Sequence, residues 1–386
     1  MMLAAAMALV ALCPRPAKAG IVVGQCTAGT QYSTIQAAVN AAPSGATIQV
    51  CPGYYPEQVV IQSPLTLQGI IKNGAEGAFI GPPTGGFVSD PILSLAPQLT
   101  VKNTSGVTVS NLIVDPTGAT ICGSNAPVVG ILFHNASGTV SKMTVRNQAP
   151  PAGQSCATYG MLASVDNQQP QTVTVTNNDF RNNGTEAIEM NGPGLTANTV
   201  NNFVAGTDAS PTFSVGIDYE PGAVGTIQGN TVIDEFYSSN VFPNLLGASF
   251  GIIGLCTQGL TISGNMLSNN QVGIAVGCPP IQNFASNTTI TGNHIVETRS
   301  YDGILILSNG NLITNNTIVA AGESGIHFDA ELAGGSNNKA SGNTITETCA
   351  GVLSSGAVKN NTLSANTYND VYVPTEKAAN CGPIFQ

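Results

Sequence analysis

The chain has 386 residues, 11 Lys and Arg against 21 Asp and Glu, a net charge of −10, and only 8% charged residues. Hydrophobic residues make up 42%, with 44 Gly, 23 Pro and no Trp. Such a chain is too apolar to be disordered, too long for a disulfide mini-domain without a core, and too acidic to build the basic footprint that nucleic acid requires.

Residues 1–19 read as an export signal, because Met1 to Leu12 is apolar and Ala17-Lys18-Ala19 offers a small-residue cleavage site before Gly20. That places the mature protein outside the cytoplasm, secreted or periplasmic. No later apolar run is long enough to span a membrane. Beyond Cys13 lie Cys26, Cys51, Cys122, Cys156, Cys256, Cys278, Cys349 and Cys381, with no CxxC pair. An even set of this kind suits disulfides in an oxidising compartment better than a zinc site. In an N-terminal cap segment, 20–45, the run Tyr32 to Asn40 predicts a short amphipathic helix with a Ser or Thr cap.

From residue 128 the chain repeats one phrase: VVGILFH (128–134), TYGMLAS (158–164), TEAIEMN (185–191), SVGIDYE (214–220) and SFGIIGL (249–255), then QVGIAVG (271–277), YDGILIL (301–307), ESGIHFD (323–329) and CAGVLSS (349–355). Most are followed by a second signature of Asn and β-branched or apolar residues: NNDF, GNTV, GNML, GNHI, NNTI, GNTI and NNTL. The closest Gly starts, 251 to 273 and 303 to 325, are 22 residues apart. Short strands turned by Gly and Asn, with no helical period between them, predict an all-β, right-handed parallel β-helix over 46–373, with a C-terminal tail at 374–386. The periodic Asn predicts an internal ladder that satisfies buried turn groups.

These repeats, together with ATIQVCPGYYPEQVVIQSPLTLQG (46–69), make the chain resemble the pectin-lyase-like right-handed β-helix superfamily over most of 30–373. The resemblance implies a helix covering the open end of the solenoid and a long wall groove suited to an extended carbohydrate polymer. Gly53-Tyr54-Tyr55-Pro56-Glu57 matches the opening motif of pectin methylesterases, but the rest of that family's pattern is missing. Glu57 is therefore expected to face solvent in a first-coil turn. No catalytic signature of the superfamily is intact.

If Ile131 and its equivalents face the core, the next residue and the one two further along face outward. One outward column is Leu132, Leu162, Glu189, Asp218, Ile253, Ala275, Leu305, His327 and Leu353; the other runs from His134 to Ser355 through Glu220, Leu255, Leu307 and Asp329. Cys256 and Cys278 share a register on consecutive coils and are expected to pair, as are Cys26–Cys51, Cys122–Cys156 and Cys349–Cys381. Glu189 and Asp218 should be neighbours, with Glu220 on the same strand. Stacked carboxylates push their pKa values apart and so suit acid–base catalysis; alternatively Asp218 and Glu220 ligate calcium, or the acids are simply solvated. Segment 237–249 is expected to cover the apolar pairs Ile253/Leu255 and Leu305/Leu307. Three scattered histidines, His134, His294 and His327, argue against a copper or zinc cluster, though His327 and Asp329 are outward neighbours. The sequence thus reads as an exported monomer that binds or cleaves a polysaccharide or other extracellular glycan, as a hydrolase or lyase. The competing reading is a noncatalytic surface or envelope protein that binds glycan or protein.

Overall fold

Each coil of the chain adds one short strand to each of three parallel sheets, which contain 14, 12 and 12 strands. The computed structural model describes residues 20–386 except 73–76, 120–125, 151–155, 208–212, 238–247, 279–280, 282–283, 300, 332, 377–380 and 382–386. The export signal and Cys122 lie outside the described residues. The molecule is a right-handed parallel β-helix with one helix among the described residues.

Three columns of like residues hold the coils in register. The interior column runs Ile131, Met161, Ile188, Ile217, Ile252, Ile274, Ile304, Ile326 and Val352, all within one continuous apolar core. Beside it stands the Gly column. A Cβ on Gly273 would sit 2.4 Å from the carbonyl oxygen of Gly303, and one on Gly303 would sit 2.8 Å from that of Gly325. Stacked backbones leave no room there for a side chain, which is why the phrase repeats its glycine.

The third column is the Asn ladder. Asn178, Asn202, Asn230, Asn265, Asn293, Asn316, Asn343 and Asn366 pass side-chain hydrogen bonds from Nδ2 to the next Oδ1 at 2.9–3.0 Å. Asn265 also donates to Ile227 O at 3.0 Å, and its Oδ1 accepts from the Asn230 backbone N–H. The amide is thereby fully satisfied inside an apolar interior. The residue just before each rung is left-handed, as at Asn177, Gly229 and Gly292, which explains the recurring Gly-Asn and Asn-Asn pairs. The NNTL signature departs from this pattern, because Asn361 closes a separate, shorter ladder with Asn338 and Asn311.

At the N-terminal end the helix spans Ile35–Ala41, with Thr34 as its cap accepting from Ala37 N. The start agrees with the expected Ser or Thr cap, while Tyr32 belongs to strand Thr30–Tyr32, paired to Ile21–Val23. Ile35, Ala38 and Val39 are buried and close the core. Glu57 is not simply solvent-facing: its carboxylate accepts the Ile35 and Gln36 N–H groups at 2.7 and 2.9 Å. It satisfies two orphan donors at the helix start. Disulfides Cys26–Cys51, Cys256–Cys278 and Cys349–Cys381 are present, the second joining consecutive coils at a Cα separation of 4.3 Å. Cys156 is also disulfide-bonded. At the other end Val373–Glu376 pairs with Ala350–Ser355, so strand structure continues past residue 373.

Breaking one rung should be costly. Asn265→Ala is expected to lower unfolding free energy by about 3 kcal/mol, because it strands buried partners on both sides. Urea unfolding measures this, and a loss below about 1 kcal/mol would contradict the ladder's role.

Candidate functional site

The third sheet differs from the other two. Strands such as Thr261–Ser263 and Thr317–Val319 bury only their central residue, whereas Val128–His134, Val215–Tyr219 and Val272–Gly277 are buried at every position. Its outer wall is therefore covered. Leu93, Leu95 and Tyr159 pack over Leu132 and Leu162; Ala248, Phe250 and Tyr301 pack with Ile253, Ala275, Leu305 and Leu307; Cys381 packs on Leu353. Of the segment expected to cover the apolar pairs, Ala248 does so, while 238–247 lie outside the described residues.

The outward column is in the expected register throughout, with Leu162 paired to Glu189, Glu189 to Asp218 and Asp218 to Ile253. Its members are not solvated: Glu189 is 7% exposed and Asp218 4%. Glu189/Asp218 and His327 are thus polar interruptions in an otherwise buried, apolar row. Burying ionisable groups costs several kcal/mol unless they are paired or neutralised.

At the first interruption the structure brings all three expected residues together and adds Glu186, which is buried and hydrogen-bonded to the Glu189 side chain. Burial, then the charges of Glu189 and Asp218, push the Glu186 carboxyl well above its usual value. Burial, then Glu220 and Glu189, do the same to Asp218. Glu220, half-buried, is pushed up to about 7 by burial and by Glu189. Asn191 Nδ2 orients Glu189 by donating to Oε1 at 2.9 Å. Glu186 Oε2 and Asp218 Oδ1 are buried without a hydrogen-bond partner among the described residues. Burial and the same four acids also raise the Tyr159 hydroxyl. The arrangement holds protons at neutral pH close to acceptors, which is what acid–base chemistry needs.

The second interruption lies four coils further on, about 19 Å by strand spacing. His327 Nδ1 is 2.9 Å from Asp302 Oδ2, and His327 Nε2 is 2.9 Å from Ser355 Oγ. Ser324 Oγ donates to Asp302 Oδ1 at 2.6 Å, and Asp329 Oδ2 lies 3.8 Å from Nε2. Burial alone would lower the imidazole pKa, but Asp302, Asp329 and Glu323 more than offset it and raise it to about 9. Glu323 is pushed up to about 7 by burial and Asp302.

Sequence reasoning missed Glu186, Asp302 and Glu323. For Glu186 and Asp302 the signal was present one position before the Gly column, where they interrupt Val129, Tyr159, Val215, Phe250 and Val272; Glu323 lies one residue earlier still. That row also faces outward on the wall.

Among known proteins, the profile of a family described as periplasmic copper-binding protein (NosD) matches residues 228–380. No curated protein matches the chain by sequence. The fold resembles PfbA, a surface adhesin of Streptococcus pneumoniae, at 14% identity and a TM-score of 0.56, covering 91% of this chain and 90% of the adhesin. It also resembles a double mutant of the tailspike protein of E. coli bacteriophage HK620, at 12% identity and a TM-score of 0.57, covering 86% of this chain and 61% of the tailspike. A GH136 lacto-N-biosidase from Eubacterium ramulus is similar at 12% identity and a TM-score of 0.51, covering 88% of this chain and 64% of the enzyme. At these identities the likeness establishes the β-helix fold.

The family description raises the question of copper. Asp302, Glu323 and His327 can each present a ligand atom within 4.8 Å of the others, the one such group among the described residues. This set has one imidazole, both of whose nitrogens already have partners, and every described cysteine is in a disulfide. Copper sites draw on several imidazoles or on thiolate and thioether sulfur, so the donor set does not fit copper. No helix among the described residues is long and apolar enough to cross a membrane.

The buried acids also set the pH dependence of stability. Glu235, fully buried, is pushed up from 4.5 to about 8 by burial, although Ser214 hydrogen-bonds to it. A carboxyl raised on folding binds protons more tightly in the native state, so its contribution is complete below its unfolded value and lost as pH climbs through the folded one. Glu220, Glu323 and His327 have the same sign. The unfolding midpoint should therefore fall steadily from about pH 5 to about pH 9, and Glu235→Gln should flatten part of that slope. Calorimetry across this range checks it; a midpoint that rises with pH contradicts the assignment.

Proposed function

We propose that the protein works outside the cytoplasm and cleaves a glycosidic bond in a carbohydrate polymer, using Glu189, Asp218 and Glu220, with Glu186 beside them. One observation carries the reading: carboxyls that hold protons near neutral pH stand together on the wall, and no Lys or Arg is among the groups that act on them. Glycoside hydrolysis needs a protonated acid for the leaving oxygen and a second carboxylate as nucleophile or base. Glu220, the least buried of the group, serves as the acid; Glu189, oriented by Asn191, serves as the nucleophile or base. Asp218 stands beside Glu189 on the next coil, and burial together with Glu189 holds Glu220 in its protonated range. The disulfides and the periplasmic description of the matching family support a site of action beyond the cytoplasm.

A glycan-binding surface protein is the second reading, favoured by the near full-length likeness to a surface adhesin. The two readings separate on a panel of neutral and acidic polysaccharides, with reducing ends and unsaturated products followed together. We expect new reducing ends without unsaturation. Glu189→Gln and Asp218→Asn should each lower turnover at least about 100-fold while leaving the folded state intact. Undiminished turnover in both variants would overturn the site. Unsaturated products that require calcium would recast Asp218 and Glu220 as metal ligands for an elimination. Binding without turnover would favour the adhesin-like reading.

A further inference from the structure

We propose that Ser355, His327 and Asp302 form a second active site, a nucleophile, base and positioning residue that hydrolyse carboxylic esters independently of the Glu189 cluster. The geometry has the order this chemistry requires. Ser355 Oγ meets Nε2 of the imidazole at 2.9 Å, and Asp302 Oδ2 meets Nδ1 at 2.9 Å. The second oxygen of Asp302 is fixed by Ser324 Oγ at 2.6 Å. Asp302 and His327 are buried, while Ser355 is partly exposed at the end of strand Ala350–Ser355. A buried orienting acid, a buried imidazole and an accessible hydroxyl are the roles of a serine hydrolase, which recur on unrelated folds.

The residue after the nucleophile adds a further element. Gly356 has φ +69° and turns the chain immediately beyond Ser355. The Gly356 and Ala357 backbone N–H groups make no hydrogen bond among the described residues. Both residues line a cavity of about 590 Å³ together with Asp329 and Glu331. Backbone donors with no partner among the described residues, next to a serine, are suited to a carbonyl oxygen that gains charge.

The steps balance without a cofactor. Once the imidazole is neutral, above about pH 9, Ser355 Oγ attacks the acyl carbon, its proton passes to Nε2, and the carbonyl electrons move onto oxygen. Collapse expels the alcohol, which takes the proton from Nε2 and leaves an acyl group on Ser355. Water then repeats the sequence and releases the carboxylic acid. Asp302, Asp329 and Glu323 surround the imidazole and stabilise the imidazolium formed on the way.

A fluorophosphonate probe and p-nitrophenyl acetate, the latter corrected for spontaneous hydrolysis, test the site on the full chain at a pH above about 9, where the imidazole is neutral. We expect one covalent adduct, mapped by peptide mass to Ser355 and absent from Ser355→Ala, whose small, partly exposed side chain is not needed for folding. Asp302→Asn should lower the inactivation rate constant of the folded protein at least about 100-fold without changing the half-saturating probe concentration. A purely structural Asp302 would instead spare the rate constant of the protein that remains folded. Absence of the adduct, an adduct on another residue, or ester cleavage undiminished in Ser355→Ala would overturn the proposal. So would binding of a divalent ion by the cluster with no labelling of Ser355 in its absence, which would assign the cluster to metal binding. None of these readouts involves the Glu189 cluster, so failure of the glycosidase reading leaves this test intact.

Discussion

Parallel coils stack about 4.8 Å apart, and each position therefore lies on its counterpart in the coil below. Whatever occupies one position must tolerate a copy of itself at that distance. Isoleucine on isoleucine builds the core, glycine on glycine lets backbones approach, and asparagine on asparagine makes a continuous hydrogen-bonded chain. The same constraint turns harsh when the residue is charged. Glu189 above Asp218 is the arrangement that stacking penalises most, and it lies beneath cover rather than in water.

That penalty links the fold to its chemistry. From Val129 to Leu353, two outward rows of the third sheet carry carboxylates or imidazole at two places only, the Glu186–Glu189–Asp218 group and the Asp302–His327 pair. At the first place the charges are relieved by proton uptake, because no cation is at hand. At the second they are relieved by an imidazole, which accepts a proton and spans Asp302 and Ser355. An exposed surface would have dissipated both effects in solvent. The segments that cover the wall, through Leu93, Leu95, Ala248 and Tyr301, thereby help to create the proton-holding groups as well as to protect the apolar rows.

Much of this was legible in the sequence because repetition makes register readable. The columns from Leu132 to Leu353 and the pairing of Cys256 with Cys278 follow from counting residues after each glycine. What counting could not supply was the cover. Glu189 and Asp218 look exposed when only strand alternation is considered, since burial comes from connecting segments of irregular length. The role of Glu57 was hidden for a similar reason: its partners, Ile35 and Gln36, lie about twenty residues away and precede the first coil. The Asp302–His327–Ser355 alignment spans three coils and three sequence columns, one of them directly before the glycine, where the apolar majority masked the two acids.

The central claim is that the wall keeps carboxyl groups protonated at neutral pH, and infrared spectroscopy reads this directly. The account predicts a protonated-carboxyl stretching band in the folded protein at neutral pH, insensitive to rapid solvent exchange and reduced by Asp218→Asn. A folded protein whose carboxyl groups are all ionised at neutral pH, with no such band, would contradict it.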